Sequence, residues 1–322
     1  MRRILGALGV LLLIVVVAAS GLLLWSHARI RSERAPIPSK EALTKGLLAA
    51  DRPVRLSYIN TATQRMARST VLDPDRDARP EAPFVMSHPS FVLEWPDGRI
   101  LLVDTGMTED GALAFGKPLQ KLAHAEPIEP GTTVVEGLGE AARRVAGVVF
   151  THLHIDHVGA LPTLCDAVDA PIQVFMTRAQ AERPNYTTKD GLSLMRETRC
   201  ARIVVLDDVP VATLPGFPGV GVIAAGGHTP GTQVIAARVR TNDRDRLFAF
   251  TGDVVNAYDG LREDIPKPWA YRTFLIPEDE ERLGELRRFL FSLAQGPTPY
   301  ELLVSHDQLA VEASSVRPFA RP

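Results

Sequence analysis

Four residues with metal-ligating side chains stand within six positions of this chain: His152, His154, Asp156 and His157. Neutral imidazole is the commonest metal ligand in proteins, and a carboxylate compensates the charge of a divalent ion. Because only Leu153 separates the first two histidines, both point to the same side of an extended backbone. Asp156 and His157 follow at the turn into a helical pattern and can face a second ion. Structural histidines beside a capping aspartate are the alternative, but this density of ligands favours a metal site.

An apolar, β-prone strand must position this group, because Val148–Phe150 ends directly before it. Three later segments repeat the pattern of an apolar run that leads into a ligand-type residue: Val222–Ala225 before His228, Leu247–Phe250 before Asp253, and Leu302–Val304 before His306. Singly, these three would be read as a turn histidine, a loop aspartate and a surface histidine. Together they supply the ligands that a two-ion site still lacks.

Other short apolar runs, bounded by Gly, Pro, Asp or Asn, predict further strands. They lie at Val54–Ile59, Phe91–Trp95, Ile100–Val103, Ile172–Phe175, Ile203–Leu206, Val220–Ala224 and Val234–Val239. A Pro-Asp-Gly turn at position 96 predicts a hairpin over Phe91–Val103. Helical periodicity predicts helices at Gly111–His124, Val158–Asp169 and Glu278–Leu293. Strands with interspersed helices indicate an α/β or α+β domain in which helices pack on sheets.

The N-terminal segment has the properties of a membrane span. Arg2 and Arg3 precede Ile4–Trp25, which holds 22 residues and no charge. As a helix it would extend about 33 Å, enough for a bilayer core of about 30 Å. A cleavable signal peptide is the alternative, with a small-residue site at 18–20. The apolar run continues beyond that site, which favours an uncleaved anchor.

Charges on the two sides of the span give opposing indications of its orientation. Arg2 and Arg3 favour an N-terminus inside the cell, whereas Arg29, Arg31 and Arg34 favour the reverse. We expect a single-pass protein of a bacterial inner membrane with its body outside the cytoplasm; secretion after signal cleavage stays open. Residues 1–25 are then the anchor, 26–52 a tether, 53–316 one domain and 317–322 a tail.

Composition excludes several classes of protein. The chain has 36 basic and 38 acidic residues, and without Arg2 and Arg3 the body carries a net charge of −4. Such a body has no electrostatic preference for nucleic acid, and we expect a small-molecule substrate. Two cysteines, Cys165 and Cys200, exclude a cysteine-rich metal cluster; whether they pair stays open, as does the oligomeric state.

In order, spacing and local context, the ligand residues resemble those of the metallo-β-lactamase-fold hydrolases, over residues 53–316. The pattern is His-x-His-x-Asp-His, then His in Gly-His-Thr-Pro-Gly, then Asp, then His. The resemblance implies a four-layer αββα sandwich with the metals at one edge between two sheets. It implies this ligand set: His152, His154 and His228 for the first metal, Asp156, His157 and His306 for the second, and Asp253 bridging both. Asp104, in a strand-end Asp-Thr-Gly, would orient a ligand histidine from outside the ligand set.

The resemblance also implies a chemistry. Two divalent ions, expected to be zinc with iron, manganese or cobalt as alternatives, share a water and lower its pKa. The bridging hydroxide then attacks a carbonyl or phosphorus centre, so no serine or cysteine nucleophile is needed. Asp156, Asp253 and Tyr258 are the residues expected to act in catalysis.

Local features are most similar to those of the N-acyl homoserine lactone lactonases. They are the run Ile100–Met107, the His-Thr-Pro-Gly at 228–231 and the His-Asp pair at 306–307. Those enzymes place a substrate-binding tyrosine shortly after the bridging aspartate. Here Asn256 stands three residues after Asp253, and Tyr258, two further on, is either that hydrogen-bond donor or a loop tyrosine.

We therefore expect a membrane-anchored hydrolase of esters or lactones, acyl homoserine lactones included. A glyoxalase II-like thioesterase, a β-lactamase and a phosphodiesterase are alternatives on the same fold. A membrane protein that binds metal without catalysis is the alternative from another class.

Overall fold

A computed structural model describes residues 2–241 and 244–320 of the chain. Its α-helices are α1 (Arg2–Arg31), α2 (Lys40–Gly46), α3 (Glu109–Ala123), α4 (Val134–Leu138), α5 (Ile155–Val158), α6 (Leu161–Leu164), α7 (Arg178–Glu182), α8 (Lys189–Glu197), α9 (Tyr258–Arg262), α10 (Glu280–Leu293) and α11 (Gln308–Ala313). A π-helical turn spans Tyr271–Leu275, and 3-10 turns span Arg68–Thr70, Gly139–Arg144 and Gly252–Val254.

The strands form two sheets. They are β1 (Arg55–Ala67), β2 (Pro83–Glu94), β3 (Ile100–Val103), β4 (Glu129–Pro130), β5 (Val145–Val149), β6 (Ile172–Met176), β7 (Ala201–Val205), β8 (Ala212–Thr213), β9 (Val220–Ala224), β10 (Gln233–Arg240), β11 (Asp245–Phe250), β12 (Tyr300–Leu303) and β13 (Arg317–Pro318). The larger sheet has the order β13-β1-β2-β3-β5-β6-β7, with β4 beside β1, and the smaller has β12-β11-β10-β9-β8. The predicted hairpin is present, because Phe91 pairs with Val103 in antiparallel register.

The two sheets pack face to face around the central core. Phe91, Val103 and Val149 from the larger sheet meet Val222 and Phe250 from the smaller, and all five are fully buried. Removing such side chains from water stabilises the fold by about 1.5–3 kcal/mol each.

Helices cover the outer face of each sheet. Leu138 of α4 and Leu161 of α6 pack on the larger sheet, while Leu43 of α2 and Leu286 of α10 pack on the smaller. The order of layers is therefore helix, sheet, sheet, helix, which confirms the expected αββα sandwich.

The segment expected to be a tether is packed on the body over much of its length. Leu43 and Leu47 are completely buried against the smaller sheet. Arg34 donates two hydrogen bonds to the Asp279 carboxylate, at 2.6 and 2.7 Å. The apolar residues of α2 find their partner, the smaller sheet, only in the tertiary structure.

One predicted helix is broken in two. Where a helix was expected over Val158–Asp169, α5 ends at Val158 and α6 begins at Leu161. Pro162 lies in the first turn of α6, where its missing N–H costs no hydrogen bond. The apolar face was identified correctly, since Leu161 and Leu164 are buried in the outer core.

The two cysteines, whose pairing the sequence left open, form a disulfide. Cys165 and Cys200 are bonded across a separation of 35 residues. A structural disulfide persists mainly in oxidising compartments.

Candidate metal centre

The proposed ligands meet at one edge of the sandwich because the strands that carry them run in the same direction. In the larger sheet β3 and β5 are parallel, and they end just before Asp104 and the 152–157 motif. In the smaller sheet β9 and β11 both run antiparallel to β10, and β12 is parallel to β11. Their carboxyl ends lead to His228, Asp253 and His306, at the edge where α/β sheets bind ligands.

The first group consists of His152, His154, His228 and Asp253. Their ligand atoms all lie within 4.8 Å of one another, and all four residues are buried. Nδ1 of His154 lies 3.0 Å from Nε2 of His152 and 3.2 Å from Nε2 of His228. Tetrahedral zinc with Zn–N bonds of about 2.0–2.1 Å places its nitrogen ligands roughly 3.3 Å apart. The spacing therefore fits one divalent ion.

The second group contains Asp156, His157 and His306. The two Nε2 atoms lie 3.3 Å apart, and Oδ2 of Asp156 lies 3.5 Å from each of them. These distances are again those of atoms around a shared cation.

Asp253 reaches both groups, one oxygen to each. Its Oδ1 lies 3.3 Å from Nε2 of His157 and 3.1 Å from Nε2 of His306. Its Oδ2 lies 3.6 Å from Nε2 of His228 and 3.9 Å from Nε2 of His152. Oδ1 is buried without a hydrogen-bond partner among the described residues, which is costly unless a cation meets it. The donor set thus fits two ions with a shared carboxylate.

Each of the five histidines has its other ring nitrogen held by a hydrogen-bond partner. These contacts are His152 Nδ1 with Thr151 Oγ1 at 3.2 Å, His154 Nε2 with Thr187 Oγ1 at 2.9 Å, His157 Nδ1 with Asp104 Oδ2 at 2.8 Å, His228 Nδ1 with Glu278 Oε1 at 2.5 Å, and His306 Nδ1 with the Ser87 carbonyl at 2.8 Å. Such partners fix the ring orientation and the tautomer, so the remaining nitrogen faces the centre.

Asp104 lies directly after β3 and contacts His157. Its carboxylate accepts from the N–H and the hydroxyl of Thr151, at 2.7 and 2.8 Å, and from Nδ1 of His157. It adopts φ 60, a left-handed conformation that aspartate tolerates better than most residues. The single side chain therefore ties the strand end to a ligand of the second group.

A buried lysine–glutamate pair supports the first group, and sequence reasoning did not identify it. Nζ of Lys267 donates to Glu278 Oε1 at 2.6 Å and to the Asp253 carbonyl at 2.5 Å. Glu278 in turn accepts from His228, 50 positions away. No local motif marks either residue, because the contact forms only when the loop before α10 folds over β9.

His88, which had no proposed role, lies beside the second group. It is 2 % exposed on β2, and its Nδ1 lies 3.3 Å from Oδ2 of Asp156. Burial lowers the pKa of His88 to about 4, although the Asp156 carboxylate opposes that effect. His88 is therefore neutral at pH 7, and with Asp156 and His306 it forms a further group whose ligand atoms lie within 4.8 Å of one another. His88 lies three residues before the predicted strand Phe91–Trp95, and a lone histidine there offers no signal that would separate it from a packing residue.

Electrostatics prepare the first group to bind a cation. Burial, and then the neighbouring imidazoles, hold the pKa values of His152 and His154 below the usual range, that of His154 at about 3. Burial and the Lys267 ammonium act the same way on the pKa of His228. These three rings are neutral at pH 7, which is the form that binds metal.

In the second group the carboxylates dominate. Burial alone would lower the pKa of His157, but Asp104 and Asp156 outweigh it and hold that pKa well above its usual value. Asp253 raises the pKa of His306 in the same way. The carboxylates thus favour positive charge at this position, whether it comes from protons on His157 and His306 or from a cation.

Two tyrosines differ in their relation to the centre. Tyr258 is the first residue of α9, where its N–H donates to Asp307 Oδ2 at 2.9 Å and it borders a surface groove. Among the described residues, no hydrogen bond or ring contact joins its side chain to the ligand groups. Tyr271 is half-buried, and its ring centroid lies 5.7 Å from Nζ of Lys267, which contacts His228. Burial together with Glu278, Asp253 and Asp156 raises the pKa of its phenol. No local sequence signal marks Tyr271, because it lies 18 residues beyond Asp253.

The sandwich and its strand-end ligand groups define a class of metal-dependent hydrolases. Residues 84–293 match the model of the metallo-beta-lactamase superfamily. The chain belongs to that superfamily.

Two curated relatives share part of the sequence. An N-acyl homoserine lactonase of Bacillus cereus is 24% identical over 185 residues, which are 55% of this chain and 67% of that protein. Ribonuclease J of Methanocaldococcus jannaschii is 37% identical over 82 residues, 24% of this chain; the match spans only 17% of that protein.

Solved structures share the fold at low sequence identity. An N-acyl homoserine lactone hydrolase, with the product N-hexanoyl-L-homoserine at its catalytic metal center, superposes with TM-score 0.58 and 18% identity, over 82% of this chain and 98% of that one. A probable metal-dependent hydrolase from Staphylococcus aureus gives TM-score 0.53 and 12% identity, over 81% and 91%.

Proposed function

We propose that the protein is a hydrolase of esters or lactones that works with two divalent metal ions. The observation that carries the proposal is the placement of Asp253, whose two carboxylate oxygens face two separate groups of ligands. The first ion would be held by His152, His154 and His228, and the second by Asp156, His157 and His306. Zinc is the metal we expect, and the donor set also accepts iron, manganese or cobalt.

When bound, such a pair of ions lowers the pKa of a water to near neutrality and polarises a carbonyl. The residues of the chain hold the ions in position and transfer the proton of the water. Asp156 is ionised, because the neighbouring histidines outweigh burial and hold its pKa below the usual range. We assign it to accept the proton of the attacking water and to return that proton to the leaving alcohol.

The substrate class follows from charge and from the relatives. A body with a net charge of −4 does not favour a nucleic acid, although one relative is a ribonuclease. The lactonase relative aligns over a longer part of this chain and supports a neutral ester or lactone, acyl homoserine lactones among them.

Metal content and a substrate panel test the proposal together. We expect the purified full-length chain to hold about two transition-metal ions and to hydrolyse a lactone or ester in preference to a thioester, a β-lactam or a phosphodiester. Chelation should abolish turnover, and added zinc or manganese should restore it. Fewer than one ion per chain, with turnover insensitive to chelator, would contradict the proposal. Bound metal without turnover of any substrate would favour the non-catalytic alternative.

We further propose that the half-buried Tyr271 phenol donates a hydrogen bond to the substrate carbonyl. Removing its hydroxyl in Tyr271→Phe should lower kcat/KM about 10- to 100-fold while the metal content stays unchanged. Tyr258→Phe is the matched variant, because Tyr258 is the tyrosine that the sequence favoured for this role. Steady-state kinetics on both decides between them: a loss confined to Tyr258→Phe would assign the role to Tyr258 instead.

We also propose that residues 4–25 hold the protein in a membrane with its body in an oxidising compartment. Helix α1 contains the candidate span Ala7–Arg31, in which an 18-residue window has a mean hydropathy of 2.9, and by length and composition it could cross a membrane. The Cys165–Cys200 disulfide supports a location outside the cytoplasm.

A further inference from the structure

The C-terminal end of α1 is hydrogen-bonded to the body at two places. Ser26 is fully buried, and its hydroxyl accepts from Nδ2 of Asn185 at 3.2 Å. Nε2 of His27 donates to the carbonyl oxygen of Thr273 at 3.1 Å. The helix therefore leaves the body in a defined position.

The segments that hold α1 are also those that contact the metal-ligand histidines. Oδ1 of Asn185 accepts from Oγ1 of Thr187 at 2.8 Å, and Thr187 in turn contacts His154. The segment 267–278 begins and ends with Lys267 and Glu278, which contact His228, and Thr273 lies between them. The same two segments thus contact both the end of the apolar helix and the candidate metal centre.

A loop with exposed apolar side chains, residues 269–275, lies beside α1; it is called the apolar loop below. Trp269, Phe274 and Leu275 expose 58%, 54% and 50% of their surfaces, and the Trp269 and Phe274 rings pack edge to face at 5.2 Å. Phe274 and Tyr186 line a cavity of about 440 Å³ together with Val16, Ala19, Ser20, Leu22 and Leu23 of α1. A soluble surface rarely clusters such side chains without a function.

The depth of this loop follows from helix geometry. A hydrocarbon core of about 30 Å takes about 20 helical residues, so a core that begins at Ile4 ends near Leu23. Phe274 borders residues Val16–Leu23, which cover about 10 Å of that length. Any bilayer that accommodates α1 along its apolar length therefore also contains Phe274.

A surrounding lipid fits this surface better than a second copy of the chain. Leu11, Leu12, Leu13 and Ile14 are four consecutive helical residues that point in different directions, and each is at least 58% exposed. A second helix would cover one side only, whereas lipid covers all sides.

We propose that the exposed side chains Trp269, Phe274 and Leu275 insert into the bilayer that holds α1, and that the candidate metal centre receives amphiphilic substrates whose acyl chain lies in that membrane. Arg272, in the same loop, donates to the carbonyl oxygen of Lys267 at 3.2 Å and stays with the body. The part concerning substrates rests on the proposed hydrolase function. The part concerning insertion does not, and the two are tested separately.

Insertion is tested by fluorescence on the full-length chain in phosphatidylcholine vesicles. Trp25→Phe removes the helix tryptophan and leaves Trp95, which is 2% exposed in the core, and Trp269. We expect brominated lipid to quench at least a third of the emission of this variant. That quenching should disappear in the double variant Trp25→Phe with Trp269→Phe.

Two results would overturn insertion. One is Trp269 emission that brominated lipid leaves unchanged and aqueous iodide quenches. The other is a protein that the cell has cleaved after residue 20, since that protein would have lost most of the helix that anchors it in lipid. A third result would assign this surface to self-association instead. It is crosslinking of residues 269–275 to a second chain while Trp269 shows no contact with lipid.

Substrate delivery is tested by chain length. In vesicles, Phe274→Ser with Leu275→Ser should lower kcat/KM about tenfold for an ester or lactone with a ten-carbon acyl chain, mainly through KM. Hydrolysis of a short, water-soluble substrate should change less than twofold. Leu309→Ser is the matched control, because Leu309 is 69% exposed and borders the separate groove that contains Tyr258. Equal losses for long and short chains would overturn delivery, and if no ester or lactone is turned over the fluorescence result still decides insertion.

Discussion

Replacing Asp253 with alanine is expected to lower kcat/KM by about three orders of magnitude, or about 4 kcal/mol of transition-state stabilisation. Asp253 is the residue whose two oxygens face both ligand groups. Without Asp253, two divalent ions at the separation of about 3.5–4 Å that two-metal sites have would repel each other with no carboxylate to offset their charges. Metal analysis should then find about one ion per chain instead of two.

The controls separate this effect from a general loss of structure. Asp253→Asn keeps the shape and removes the charge, so it should resemble alanine in metal content. Asp259→Ala removes an aspartate six residues further on, which pairs with Arg68 and Arg262 outside the ligand groups. It should keep both ions and most of the activity. Unchanged turnover in Asp253→Ala would exclude a bridging role.

The second large effect concerns stability. Asp104→Ala should lower the free energy of unfolding by about 3–5 kcal/mol, because three buried donors lose their acceptor and His157 loses its neutralising carboxylate. The donors are the N–H and hydroxyl of Thr151 and Nδ1 of His157. For a body of this size that corresponds to a melting temperature lower by about 10 °C, measurable by thermal denaturation in detergent.

Asp104→Asn tests whether the loss of stability comes from the missing charge or from the left-handed backbone conformation. Asp104 has φ 60, and asparagine tolerates that left-handed conformation whereas alanine does not. Asp104→Asn should therefore keep the backbone geometry and lose only charge, giving a smaller decrease in melting temperature and weaker binding of the second ion. Melting of the alanine variant within 2 °C of the parent would contradict the assigned role of Asp104.

The candidate ligands and most strands could be named from the sequence because their signals are local. A run such as Leu247–Phe250 ending in Asp253 shows both the strand and the ligand at its end, and the observed β11 covers that run. Similarity to a known ligand pattern then ordered the ligands into two groups. The helix over Val158–Asp169 was predicted as too long, because periodicity persists through a proline that starts a new helix.

What the sequence by itself determined is the set of candidate ligands, the strands that precede them and the apolar N-terminal helix. Each is encoded within a few consecutive residues, where side-chain type and period act directly. Only the tertiary structure decided that Glu278 and Lys267 contact His228, that His88 lies beside Asp156, and that the end of α1 is hydrogen-bonded to Thr273, between Lys267 and Glu278. Those contacts join residues far apart in the chain, and they exist because burial of the sheets and helices brings their ends to one edge.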